Sequence, residues 1–326
     1  MGRTLSARAS RAVHALVRAT IAVLATSAAM PGFAAAQLAA RGDSLLVAGR
    51  PFDAEIVYYE AARLRPREPA ARLALGRYLV ARGASRVGAV LMEEARYFGG
   101  DAARVALELV PAYERLGDWK ALAALPAPPL AADDRARATW LAEHEPSRSG
   151  PAEVTVPYTA DPNNPLGRFT VRVGNVDVVV DVDASVHGLV LPSIVAADVR
   201  AGVRTFGAAG AHWAAVAAAV HADALTLGNL PVTVDRAARG ARVGLDLLGA
   251  LTPTFDAAGH RLTLRRTGRV AADLPGARLP TYLPRDGAFV VLSGTAVRLD
   301  SPRALAALSG GRWTWDGRRG SIVVGR

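Results

Sequence analysis

With 326 residues, 51% of them hydrophobic, and a mean hydropathy of +0.18, the chain has ample material for a core and does not read as disordered. Its formal charge of +10 is carried by arginine, Lys120 being the only lysine, and the basic residues are scattered without an aromatic-interleaved stripe, which argues against a nucleic-acid surface. The absence of cysteine excludes a disulfide framework, a thiol nucleophile and a cysteine-ligated zinc, but not export, because a large core needs no staples.

The chain opens with Arg3, Arg8, Arg11 and Arg18 ahead of a mostly apolar run, Ala19 to Met30, followed by Pro31-Gly-Phe-Ala-Ala-Ala36. A basic start, a short apolar stretch and a small-residue exit predict a secretory signal peptide over residues 1–36, cleaved after Ala36. The run is shorter than the roughly 20 apolar residues a spanning helix requires. The mature chain is therefore expected to be exported, to the periplasm or beyond a bacterial cell, with no integral membrane span.

Residues 37–122 repeat with a period of 34: Gly49, Gly83 and Gly117 keep that spacing, as do Leu45, Leu79 and Tyr113, and Ala61 and Ala95. Each glycine closes an Ala/Leu-rich helical pattern, and Pro66 and Pro69 fall between the first two units, where a helix should stop. The pattern resembles tetratricopeptide repeats, which implies paired helices and a surface for peptides or partner proteins. A plain helical spacer is the alternative reading. Residues 123–165, with Pro126-Ala-Pro-Pro129, Pro146-Ser-Arg-Ser-Gly-Pro151 and Asp161-Pro-Asn-Asn-Pro165, are expected to be a linker holding one short helix, Ala131 to Glu143.

Beyond Gly167 the period shortens to two. Phe169–Val173 and Val176–Val182 read as a hairpin across Gly174-Asn175, Leu189–Pro192 as a strand, and Ala222–Val234 as a hairpin turning at Gly228-Asn229. Gly244-Leu-Asp-Leu-Leu248 reads as a short helix and Thr254–Leu264 as a final hairpin. The order and spacing of these pieces over residues 166–268 resemble a retropepsin-like aspartic peptidase domain, the single-lobe form. The expected fold is thus multidomain: an all-α tetratricopeptide-like array followed by a mainly β, retropepsin-like (acid protease) domain, with a C-terminal helix and hairpin at 269–326.

The resemblance implies an exported aspartic endopeptidase whose catalytic residue is Asp183, counted without gaps from the Gly174-Asn175 turn; Asp181 fits only if Ala184-Ser185 are matched with a two-residue insertion. Such chemistry uses two aspartates sharing a proton and activating a water, so one lobe must form a homodimer. The active-site turn departs from the family's Asp-Thr/Ser-Gly-Ala: Ala184 lacks the bracing hydroxyl, Ser185 puts a Cβ where a tight turn calls for positive φ, and Val186 is bulky. These departures support the rival reading of a catalytically inactive module that binds peptide or protein in the cell envelope. Gly207-Ala-Ala-Gly210 with His212 and Trp213 falls where the family's substrate-covering flap lies; an ordinary loop is the alternative. No metal or cofactor is implied: Asp177, Asp181 and Asp183 alternate on one strand face without a calcium-loop motif, and His212, His221 and His260 lack ligand spacing. In the tail, Leu305, Leu308, Trp315-Asp316, Ile322 and Val324 echo Leu245, Leu248, Phe255-Asp256, Leu262 and Leu264 at a constant offset, as a vestigial second lobe or an independent helix and hairpin. Asp300-Ser301-Pro302 reads as a helix cap with proline in the first turn.

Overall fold

The structure, a computed structural model, describes residues 31–126, 128, 130–161, 164–198, 202–207, 210–268, 276–284, 287–308, 311–317 and 319–325. Most of the expected signal peptide lies outside the described residues, and Ala36, its expected last residue, lies within the first helix. Among the described residues no helix is long and apolar enough to cross a membrane.

Three helix pairs come first: α1 (Pro31–Val47) with α2 (Pro51–Leu64), α3 (Pro69–Ala81) with α4 (Ser85–Tyr97), and α5 (Ala102–Leu116) with the short α6 (Trp119–Ala123). Their ends follow from the sequence. Pro51 and Pro69 sit in first turns, where no amide hydrogen is needed, and the Asp101 and Asp118 carboxylates cap α5 and α6 by accepting from Arg104 N and Ala121 N. Each first helix closes alike: Gly49, Gly83 and Gly117 have positive φ, and the next residue's amide donates back to Leu45 O, Leu79 O and Tyr113 O. The 34-residue period is thus one capping device used three times. Small residues let the helices of a pair approach; a Cβ on Gly88 would lie 2.5 Å from Gly76 O.

A further helix, α7 (Ala132–Glu143), leads into the β region. The stretch expected to be a linker carries, besides this helix, β1 (Ser147–Ser149) and β2 (Glu153–Asp161). Val154, Val156 and Tyr158 alternate inward along β2, a period-two pattern hidden in the sequence by the flanking prolines. The following elements are β3 (Asn164–Val173), β4 (Val176–Asp183), β5 (Leu189–Pro192), α8 (Ser193–Asp198), β6 (Val203–Thr205), β7 (His212–Ala222), β8 (Leu225–Asp235), β9 (Ala241–Gly244), α9 (Leu245–Gly249), β10 (Thr254–Asp256) and β11 (Arg261–Arg265). The tail adds β12 (Ala277–Tyr282), β13 (Phe289–Leu292), β14 (Thr295–Arg298), α10 (Pro302–Leu308), β15 (Arg312–Asp316) and β16 (Ser321–Val324).

These strands form one sheet path in the order β14-β13-β12-β16-β15-β10-β11-β2-β3-β4-β9-β5-β8-β7-β6, with β1 on β8 and β3 also touching β7. The β3–β4 hairpin turns at Gly174-Asn175 as expected. The next long hairpin does not turn at Gly228-Asn229: β7 and β8 pair from His212↔Asp235 to Ala222↔Leu225, and the chain reverses at Asp223-Ala224, with Asp223 at φ 52°. Asn229 keeps a positive φ within β8, so the local signal marks an irregularity in a strand.

One apolar cluster fills the β region, from Val156, Phe169 and Val180 to Phe255, Trp315 and Ile322, and includes residues of the tail. Two clusters fill the helices and take in β-region residues: Val216 and Phe206 join Leu109, Trp119 and Leu141, while Tyr282 packs with Tyr58 and Tyr78. Arginines tie the parts through backbone carbonyls. Buried Arg137 donates to Val232 O at 3.0 Å, Arg115 donates to Val80 O at 2.7 Å and Leu283 O at 2.9 Å, and Arg82 donates to Thr281 O. Gly88→Ala is expected to destabilise the chain by about 1–3 kcal/mol through overpacking of the α3–α4 crossing; an unchanged urea midpoint for the helical signal would rule out the close approach.

Candidate active site

The site grows from one topological feature. β9 arrives late in the chain and slots between β4 and β5, parallel to β4 (Val180↔Ala241 through Asp183↔Gly244) and antiparallel to β5 (Leu189↔Val243, Val190↔Arg242). Val178, Val180 and Val182 point into the core, so Asp177, Asp181 and Asp183 take the other face. Asp183 ends the strand at the mouth of the turn to β5.

The three aspartates on that face have separate partners. Asp177 pairs with Arg172 at 2.9 Å. Asp181 accepts from Asn164 Nδ2 at 2.6 Å and sits 3.2 Å from Arg168 Nε. Asp183 Oδ1 accepts from Ser185 N at 2.7 Å and Ser185 Oγ at 2.6 Å, while Arg242 Nη1 stands 3.4 Å from Oδ2. They do not converge, and among the described residues no group of three acidic or histidine side chains could hold a metal ion.

The turn differs from its expectation in one respect. Ser185 does not adopt positive φ; that conformation falls on Gly188, at 64°. The serine instead folds its amide and hydroxyl back onto Asp183, a local carboxylate-capped turn. Ala184 is buried in the β-region cluster, so a methyl group occupies the place of the missing hydroxyl. Behind the turn, Gly244 N donates to Gly188 O at 2.7 Å, and Gly188 N reaches Asp246 Oδ1 and Oδ2 at 3.0 and 3.1 Å. Gly244 is required there: a Cβ would lie 2.4 Å from Val186 O. Asp246, in the first turn of α9, thus braces the turn, with His187 Nδ1 at 3.4 Å. Burial pushes its carboxyl up, but the His187 and Gly188 hydrogen bonds and the nearby Arg115 charge outweigh that and hold it below the usual range.

Of the flap residues, Ala208 and Ala209 lie outside the described residues. Gly207 abuts Asp133 of α7, and Gly210 has φ 113°. His212 and Trp213 are not loop residues but open β7, opposite Asp235 and Val234. Asp133 Oδ2 accepts from Ala214 N at 2.9 Å, and Arg204 lies over the rings of Trp140 and Phe206, so this edge of the β region is fastened to α7. His212 is joined to Asp183 only through two others: His212 Nδ1 is 3.4 Å from Asp235 Oδ1, Asp235 Oδ2 is 3.4 Å from Arg242 Nη2, and Arg242 reaches Asp183.

Arg242 and Asp235 are the residues that sequence reading missed. Arg242 sits in Ala241-Arg-Val-Gly244, a polar residue alternating with buried Ala241 and Val243, which reads as an ordinary outward position until β9 is placed beside β4. The Asp183 carboxyl group is engaged on both oxygens. Paired aspartates hold a common proton because two like charges cannot both stay ionised at contact distance, and a guanidinium beside one of them offsets that repulsion.

No protein-family model and no curated protein matches the chain. Among solved structures, the crystal structure of a retropepsin-like aspartic protease from Rickettsia conorii is similar at 15% identity and a TM-score of 0.26, over 37% of this chain and 93% of that one.

Because the folded Asp246 carboxyl lies below its unfolded value, its stabilising share is complete above about pH 4 and is lost as the pH falls through the folded value. Asp246→Asn is expected to cost about 1–3 kcal/mol at pH 6 and progressively less towards pH 3. Thermal melts of both proteins across that range check this; a constant difference would remove the charge from the account.

Proposed function

We propose that this chain is an exported, retropepsin-like protein with tetratricopeptide-like repeats whose aspartate turn binds rather than hydrolyses, serving as a peptide- or protein-binding module of the cell envelope. The observation that carries the reading is Arg242, seated between Asp183 and Asp235 at 3.4 Å from each. With Ser185 on the other Asp183 oxygen, each oxygen of this carboxylate already has a partner within the chain. The helical array supports the binding part: between α4 and α5, exposed Val90, Tyr97 and Leu116 lie in a groove edged by Arg86, Glu93 and Glu94. Apolar and aromatic side chains with a charged rim are the usual make-up of a partner surface. Export rests on the N-terminal pattern alone. The opposite reading, an endopeptidase with Asp183 as its catalytic residue, has in its favour the Ser185 hydroxyl at 2.6 Å from that carboxylate.

Incubation of the chain with an unstructured peptide library from pH 3 to 8, beside Asp183→Asn, separates the two. No cleavage by either protein is the expected result. Cleavage that disappears in Asp183→Asn would overturn the proposal.

A further inference from the structure

Over five strands the sheet path reads alike in both directions from the β15–β10 contact. On one side of the β15–β10 contact the order outward is β10, β11, β2, β3, β4; on the other it is β15, β16, β12, β13, β14. Each series is a short strand, its hairpin partner, an earlier strand, and then a hairpin whose last strand runs into an aspartate. Asp183 is the last residue of that hairpin in the first series, and Asp300 lies two residues beyond it in the second. α9 precedes β10 as α10 precedes β15.

The pairing supports the equivalence residue by residue. Thr254 and Thr314, which correspond at the offset linking Phe255 with Trp315, are direct partners across the contact, with Oγ1 atoms 2.8 Å apart. A twofold relation requires corresponding residues to meet each other at its axis, and only there. The neighbouring bonds are consistent with it: Phe255 opposes Trp313, and Trp315 N donates to Pro253 O at 2.9 Å. Both hairpins also close alike, Gly259 N donating to Asp256 Oδ1 and Arg319 N to Asp316 Oδ1.

We infer that residues 277–324 are a shortened second copy of the unit at 153–265, and that they fill, within one chain, the place that a second molecule would otherwise take. The axis passes between Thr254 and Thr314. The copy lacks the counterpart of β5 to β9, because β14 runs through Asp300-Ser301 straight into α10. Asp300 is then the counterpart of Asp183, and Gly287, just ahead of β13, lies near both: a Cβ there would lie 3.9 Å from Ala184 O and 3.6 Å from Arg298 Nη1. Like Asp183, Asp300 is held by an arginine, Arg298 Nε and Nη2 meeting its two oxygens at 3.0 and 2.7 Å. The homodimer implied by the single-lobe resemblance is replaced by an internal one, with a guanidinium on each aspartate. This assignment stands whether or not the site hydrolyses peptides.

The chain contains no cysteine, so engineered pairs report without background. Sedimentation equilibrium of the full chain is expected to give the mass of one chain at tens of micromolar; a dimer would overturn the assignment. Under oxidising conditions the double variant Thr254→Cys with Thr314→Cys should form a disulfide inside one chain, seen by peptide mapping. Thr254→Cys alone should stay monomeric. A disulfide dimer of that single variant would place two copies of β10 across a true twofold axis and sink the proposal, as would a double variant that forms no internal bond.

Discussion

The insertion of β9 between β4 and β5 is the constraint on which the rest of the site depends. Without it β4 would be an edge strand paired to β3 alone, and Asp183 would have no residue opposite it. With it, the backbone of Gly244 comes under the turn close enough to exclude any side chain, Asp246 is delivered to the Gly188 amide, and Arg242 is set beside Asp183. The pairing that builds the turn is also what fills it: the strand that holds the aspartate in place brings the cation that engages it.

Besides apolar contacts, arginine side chains and backbone groups join the helices to the β region. Arg82, Arg115 and Arg137 each end on carbonyls of the β region, Leu283 N donates to Ala81 O, and Ala296 N donates to Gly49 O. A guanidinium can satisfy several carbonyls at once in a fixed planar geometry, which suits it to places where two irregular chain ends meet. Gly49 thereby serves twice: its positive φ ends α1, and its carbonyl receives the start of β14.

Local signals carried much of the fold. The glycines at 49, 83 and 117 mark helix ends because only a left-handed residue closes that cap cheaply, and the Gly174-Asn175 pair marks a hairpin for a similar reason. The aspartate of the turn was legible from its register with that hairpin. What was not legible depends on contacts far apart in sequence. β2 was masked by neighbouring prolines, the β7–β8 reversal lay at Asp223 and not at the more obvious glycine, and nothing in Ala241-Arg-Val-Gly244 announces its neighbour across the sheet. Ser185 was legible in part: a serine two residues after an aspartate can fold its hydroxyl back onto the carboxylate, whatever φ the backbone takes.

The tail's position on the helices has a consequence for the order in which the molecule assembles. Arg82 and Thr281 are separated by 199 residues, and Tyr78 stacks on Tyr282 with ring centres 6.0 Å apart. The earliest helices leaving the ribosome therefore cannot complete their packing until nearly the last strands have been made, since loop closure over such a distance comes late and slowly. Until Tyr282 is made, Tyr78 lacks its stacking partner, although the helical residues packed around it are already present. Thr281 and Tyr282 thus complete a contact begun by residues of the second helical pair.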